Sequence, residues 1–83
     1  MSFKDKKYQG WKNYYTWNVA LYIDNDYVIY KLACDFMRTY TGRSPYIDFV
    51  KIYGFEKTGD GVSYKNNKIS RREMNQFMNE LVS

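Results

Sequence analysis

Four stretches of this 83-residue chain carry apolar residues at helical spacing, and polar or glycine-bearing segments separate them. The strongest stripe is Ile29, Leu32, Ala33, Phe36, Met37 and Tyr40, which predicts a helix from about Asp26 to Tyr40 with Gly42 as its stop. Upstream, Thr16 reads as an N-cap. Trp17, Ala20 and Leu21 follow at i, i+3 and i+4, giving a short first helix over about 17–23. Asp24-Asn25-Asp26 then interrupts, because short polar side chains compete for backbone bonds and suit the positive start of a new helix.

Ser44-Pro45 announces a third helix, with Tyr46, Phe49, Val50 and Tyr53 on its buried face and Gly54 at its end. Periodicity is lost from Phe55 to Ile69. Thr58-Gly59-Asp60-Gly61 and Lys65-Asn66-Asn67-Lys68 read as turns flanking a short strand at Val62-Ser63-Tyr64. Ser70 and Glu73 have the spacing of a capping box, and Met74, Phe77, Met78 and Leu81 stripe the last helix. The expected fold is mainly α: a small four-helix domain over 14–83, its first helix short, with an irregular loop or short hairpin before the last helix. Residues 1–13 lack periodicity and read as an N-terminal arm that Trp11, Tyr14 and Tyr15 pin to the body.

Composition narrows the function classes. The chain has no histidine, which removes the commonest general base and the usual imidazole ligand. The single cysteine, Cys34, excludes an intramolecular disulfide and reads as a small buried hydrophobe. Asp24, Asp26 and Asp60 are the only carboxylates resembling a cluster, and helix capping accounts for the first two, so no metal site and no cofactor is expected. Gly59-Asp60-Gly61 lacks the Lys-Ser/Thr and the strand-to-helix setting of a phosphate loop. An enzyme is therefore not expected. The longest apolar run, Val19 to Ile23, is too short for a membrane span, and the charged N-terminus is unlike a signal peptide; a cytoplasmic protein is expected.

Aromatic content changes the picture most. Ten tyrosines, five phenylalanines and two tryptophans make a fifth of the chain. A domain this small has too little interior for all of them, so some rings should lie outside as binding anchors. The candidates for a partner surface are Tyr8, Trp11, Tyr64, Arg71 and Arg72. Arg71 and Arg72 sit unfavourably at a helix start, and Lys65 and Lys68 precede them, so a basic rim is expected beside the rings. With a net charge of +4, this favours a non-enzymatic protein-binding module for an acidic protein. A nucleic-acid-binding protein using the same basic and aromatic residues is the alternative, and a homodimer burying the surplus rings stands beside it.

The run Tyr15-Thr16-Trp17-Asn18-Val19-Ala20-Leu21-Tyr22-Ile23-Asp24-Asn25-Asp26 resembles a motif of small proteins of bacteriophages, especially cyanophages, and their hosts. Thr58-Gly59-Asp60-Gly61-Val62-Ser63-Tyr64 and Ser70-Arg71-Arg72-Glu73-Met74-Asn75 are similar to the end of the same group. Together these segments cover about a third of the chain. The resemblance implies a compact helical domain and a phage-derived modulator or inhibitor of a host protein. It transfers no catalytic or binding residue.

Overall fold

In a computed structural model, which describes residues 10–82, four helices follow in order: α1 (Tyr14–Asn25), α2 (Tyr27–Thr39), α3 (Pro45–Tyr53) and α4 (Arg71–Glu80). The domain is mainly α. Its only β pairing among the described residues is a single antiparallel bridge between Lys57 and Ser63. α1 and α3 each pack against both α2 and α4, and α2 also packs against α4. Val19, Ile23, Tyr46, Phe49, Val50, Met74 and Met78 fill the middle.

The cap of α1 lies three residues before the expected one. Asn13 Oδ1 accepts the Thr16 N–H at 2.9 Å, so Asn13 is the N-cap and Thr16 lies in the first turn. The Thr16 side chain is buried; its hydroxyl donates to Asn13 Oδ1 at 2.9 Å and accepts the Ser70 N–H at 2.8 Å. The inward stripe is accordingly Thr16, Val19, Ala20 and Ile23, while Trp17 and Leu21 are half-buried at its edge. A threonine at the head of the stripe hid its phase.

The break between α1 and α2 is a single residue. Asp26 Oδ1 accepts the N–H groups of Val28 at 3.0 Å and Ile29 at 3.1 Å, while Asp24 and Asn25 remain helical. α2 buries Ala33 and Met37 and packs Ile29, Leu32, Phe36 and Tyr40 around them, the stripe expected from the sequence. Cys34 differs from expectation: it is half-exposed on the outer side of α2. Pro45 opens α3, but the Ser44 side chain makes no capping bond. The Ser44 N–H donates to the Tyr40 hydroxyl at 3.0 Å, which itself donates to Asp48 Oδ2 at 2.5 Å. Gly54 closes α3 at φ 71°, in the left-handed region, and donates to the Val50 carbonyl at 2.8 Å.

The segment before α4 is tied down from within. Thr58 N–H donates to the Val62 carbonyl and Gly61 N–H to the Thr58 carbonyl, both at 2.9 Å, with Gly61 at φ 89°. This is a three-residue hairpin loop, which needs a left-handed residue at its last position. Asn18, fully buried on α1, holds it: its Nδ2 donates to Asp60 Oδ2 at 2.8 Å, and its Oδ1 accepts the Thr58 hydroxyl at 2.7 Å. The capping box at α4 is only half made. Ser70 Oγ accepts the Glu73 N–H at 3.2 Å, but the Ser70 N–H goes to Thr16 and the Glu73 carboxylate takes the Lys12 N–H at 2.9 Å.

Replacing Asn18 with alanine strands a buried hydroxyl and a carboxylate oxygen and opens a void. The expected loss is about 2–3 kcal/mol in urea unfolding, against at most about 0.5 kcal/mol for the exposed Asn79→Ala.

Candidate functional site

The five residues nominated from the sequence do not form one surface. Tyr8 lies outside the described residues. Tyr64 is 2% exposed, so it offers no stacking face. Its ring packs 5.4 Å from that of Phe55, and its carbonyl accepts the buried Tyr46 hydroxyl at 2.7 Å. Val62 and Tyr64 both point inward across Ser63, a period-2 signal that marks a buried face. Trp11 is half-buried, edge-on to Phe77 with centroids 5.9 Å apart. The cleft it lines, about 280 Å³, is completed by Gly10, Glu73, Gln76, Phe77 and Glu80, so carboxylates rather than basic groups border this ring.

Arg71 and Arg72 are exposed at the first two positions of α4, and among the described residues neither is paired with a carboxylate. The caps of α1 and α4 are bonded together there: Asn13 Nδ2 donates to the Lys68 carbonyl at 2.7 Å, beside the Thr16–Ser70 bond. Lys12 and Lys68 therefore join the two arginines around this junction. The aromatic ring of this basic end is Tyr15, with Lys68 Nζ 5.5 Å above its centroid.

The ring surplus appears elsewhere, on α2. Tyr27 is 75% exposed and Val28 64%, at the first two positions of the helix, and Tyr30 lies on the same outer side. A shallow groove of about 220 Å³ runs along Tyr27, Tyr30, Lys31, Cys34, Asp35 and Arg38. Asp35 bridges the two cations, 4.0 Å from Lys31 and 3.3 Å from Arg38. The clue in the sequence was subtraction: Tyr27, Val28 and Tyr30 fall outside the Ile29–Tyr40 stripe, so that helix could not bury them. A second exposed apolar pair, Ile52 and Tyr53, ends α3.

Directly before Tyr27, the corner between α1 and α2 forms an open cavity of about 310 Å³ lined by Leu21, Tyr22, Asn25, Asp26 and Asp60. Gly59 lies so close that a Cβ there would stand 2.7 Å from the Tyr22 hydroxyl. Burial, and then the neighbouring Asp60 carboxylate, push the Tyr22 phenol above its ordinary value. Among the described residues no three Asp, Glu or Cys side chains converge on one point, and no helix is long and apolar enough to cross a membrane. What the corner offers chemically is two fixed carboxylates, a phenol and an amide beside an aliphatic wall.

The model of the family of unknown function DUF7249 matches residues 4–83, and the chain belongs to that family. No curated protein and no solved structure matches the chain.

Several phenols are held protonated. Burial raises Tyr46 and Tyr64. Burial and the hydrogen bond to Asp48 raise Tyr40, partly offset by the Ser44 N–H, and contact with the Cys34 thiol raises Tyr30. A phenol raised in the folded state keeps its proton where the unfolded chain has lost it. Its stabilisation is therefore complete below the ordinary value of 10.0 and declines as pH rises toward the folded value. Thermal unfolding scanned from pH 9 to 11.5 should show stability falling above about pH 10, and Tyr46→Phe should flatten that fall.

Proposed function

We propose that the protein is a non-enzymatic protein-binding module, a phage-derived modulator of a host protein acting in the cytoplasm, and that its partner docks on the start and outer face of α2. The observation that carries this is the pair of large apolar side chains, Tyr27 and Val28, standing in water beside a cavity. Exposing them costs free energy that a partner recovers by covering them, and tyrosine anchors of this kind dominate binding energetics. Lys31 and Arg38 on the same face supply charges that orient an encounter. The histidine-free composition supports the non-enzymatic reading, and the resemblance to small phage and host proteins supports the modulator role.

Capture from host extract tests it. A protein retained by the unaltered chain should be lost from Tyr27→Ser/Val28→Ser, with affinity falling more than about tenfold while the unfolding midpoint stays within about 0.5 kcal/mol of stability. Retention undiminished by that double variant defeats the reading. Sedimentation velocity on the purified chain identifies a second copy as the occupant if a dimer dissolves on the same substitutions.

The basic junction of α1 and α4 favours a second reading, nucleic-acid binding, because Lys12, Lys68, Arg71 and Arg72 gather there beside the Tyr15 ring. Anisotropy of a labelled single-stranded DNA should then fall steeply with salt, and Arg71→Gln/Arg72→Gln should lower the slope of log K against log salt by about 1.4. Salt-independent or absent binding ends this reading.

A further inference from the structure

We infer that the cavity at the α1–α2 corner receives a cationic side chain, arginine above lysine, from the protein that covers Tyr27 and Val28. The inference rests on the protein-binding reading and names the chemistry of its partner.

Two carboxylates line the cavity, and bonds that have nothing to do with each other fix them. Asp26 spends Oδ1 on the Val28 and Ile29 N–H groups as the cap of α2. Asp60 spends Oδ2 on the Asn18 amide, itself immobile in the core. The Tyr22 phenol also bonds the Asp60 carboxylate from the cavity side, and the second oxygen of Asp26 stays outside these bonds. Among the described residues neither carboxylate has an ion-pair partner, although the chain carries 13 Lys and Arg against 9 Asp and Glu. Neither carboxylate is neutralised by a basic group of the described chain, so a cation entering this opening meets two negative charges.

The walls select among cations. A hard metal ion wants about six to eight oxygen ligands, and no third acidic or thiol side chain converges here among the described residues. A volume of about 310 Å³ is instead at the lower end of the roughly 300–1,000 Å³ typical of organic ligand sites, which suits one long side chain. Leu21 and the Tyr22 ring can line its methylene stem, and an aromatic face also attracts the charged head. A planar guanidinium donates through two edges at once and so can bridge carboxylates, which a compact ammonium does less well. Tyr27 and Val28 follow Asp26 without a gap, so the partner segment pairs its basic residue with an adjacent apolar one. This partner chemistry is opposite in sign to what net charge alone suggests.

The test is a nuclear magnetic resonance titration of the full ¹⁵N-labelled chain with acetyl-Leu-Arg-Leu-amide, and with the same peptide carrying citrulline, which keeps the shape and loses the charge. Amides around Tyr22, Asp26 and Asp60 should shift saturably with the arginine peptide and at least about tenfold more weakly with citrulline. Asp26→Asn/Asp60→Asn should show the same loss while staying folded, because an asparagine oxygen can cap α2 and accept from Asn18 equally well. Equal response to both peptides, or shifts scattered away from the corner, overturns the inference. If capture of a host protein depends on Tyr27 and Val28 but survives Asp26→Asn/Asp60→Asn, the binding-module reading stands and this inference falls. A dimer that dissolves on the two aspartate substitutions also overturns it, since the corner would then be filled by a second copy.

Discussion

A buried amide decides how this chain folds around its loop. Asn18 sits on α1 with no solvent exposure, and an amide in that position is tolerable only if its donor and acceptor are both used. The partners are the Thr58 hydroxyl and the Asp60 carboxylate, 40 and 42 residues away. The requirement runs both ways: the hairpin lacks a sheet to lie on, and the helix lacks a neighbour of its own for that side chain. Thr16 repeats the device two residues earlier, satisfying the Ser70 N–H that the half-formed capping box leaves over. Two polar residues facing inward from one helix therefore place both the loop and the start of α4. Asp60 is positioned by the same bond, so the charge at the α1–α2 corner is set by the core.

This explains which parts of the fold were legible in the sequence. α2 and α4 follow from apolar stripes, and α3 from its opening proline and closing glycine. These signals are local, and each helix needs only its own residues to show them. The start of α1 was misplaced because Asn13 and Thr16 are both competent caps, and the choice between them depends on Ser70, which lies 54 residues from Thr16. The capping box failed for the same reason, since Glu73 has a better use with the Lys12 N–H than with its own cap. Long-range hydrogen bonds between short polar side chains leave no periodicity to read.

The rings show a similar division. Counting them correctly implied that some would remain outside, but identifying them required the phase of each helix. Phe36, Tyr40, Phe49, Phe55 and Tyr64 form a continuous chain of contacts with centroids 4.9–5.4 Å apart, which absorbs much of the surplus, while Tyr53, expected on the buried face of α3, touches the chain from an exposed position. Tyrosine suits this because its hydroxyl can end in a polar contact while its ring packs. Tyr46 reaches the Tyr64 carbonyl, and Tyr40 reaches Asp48. Tyr27 has neither a stripe position nor a described polar partner, and it is left in water. Candidates chosen by residue type alone therefore included a core tyrosine and omitted Tyr27, more exposed than Tyr30 or Tyr53.

Charge is divided between the two ends of α1. At its start, Lys12, Lys68, Arg71 and Arg72 crowd where two helix dipoles are already positive, an arrangement that opposes folding. Beyond its last turn, Asp26 and Asp60 face a cavity next to exposed apolar residues. A helix of 12 residues rises about 18 Å, further than the roughly 10 Å over which salt screens exposed charges at 0.1 M. The two ends are thus electrostatically independent, and net charge describes neither. The acidic end couples its charge to the most exposed apolar pair among the described residues, Tyr27 and Val28, and to a concave surface, the combination that gives an interface both affinity and register. That coupling is the reason the proposed docking is placed at the α1–α2 corner rather than at the basic junction.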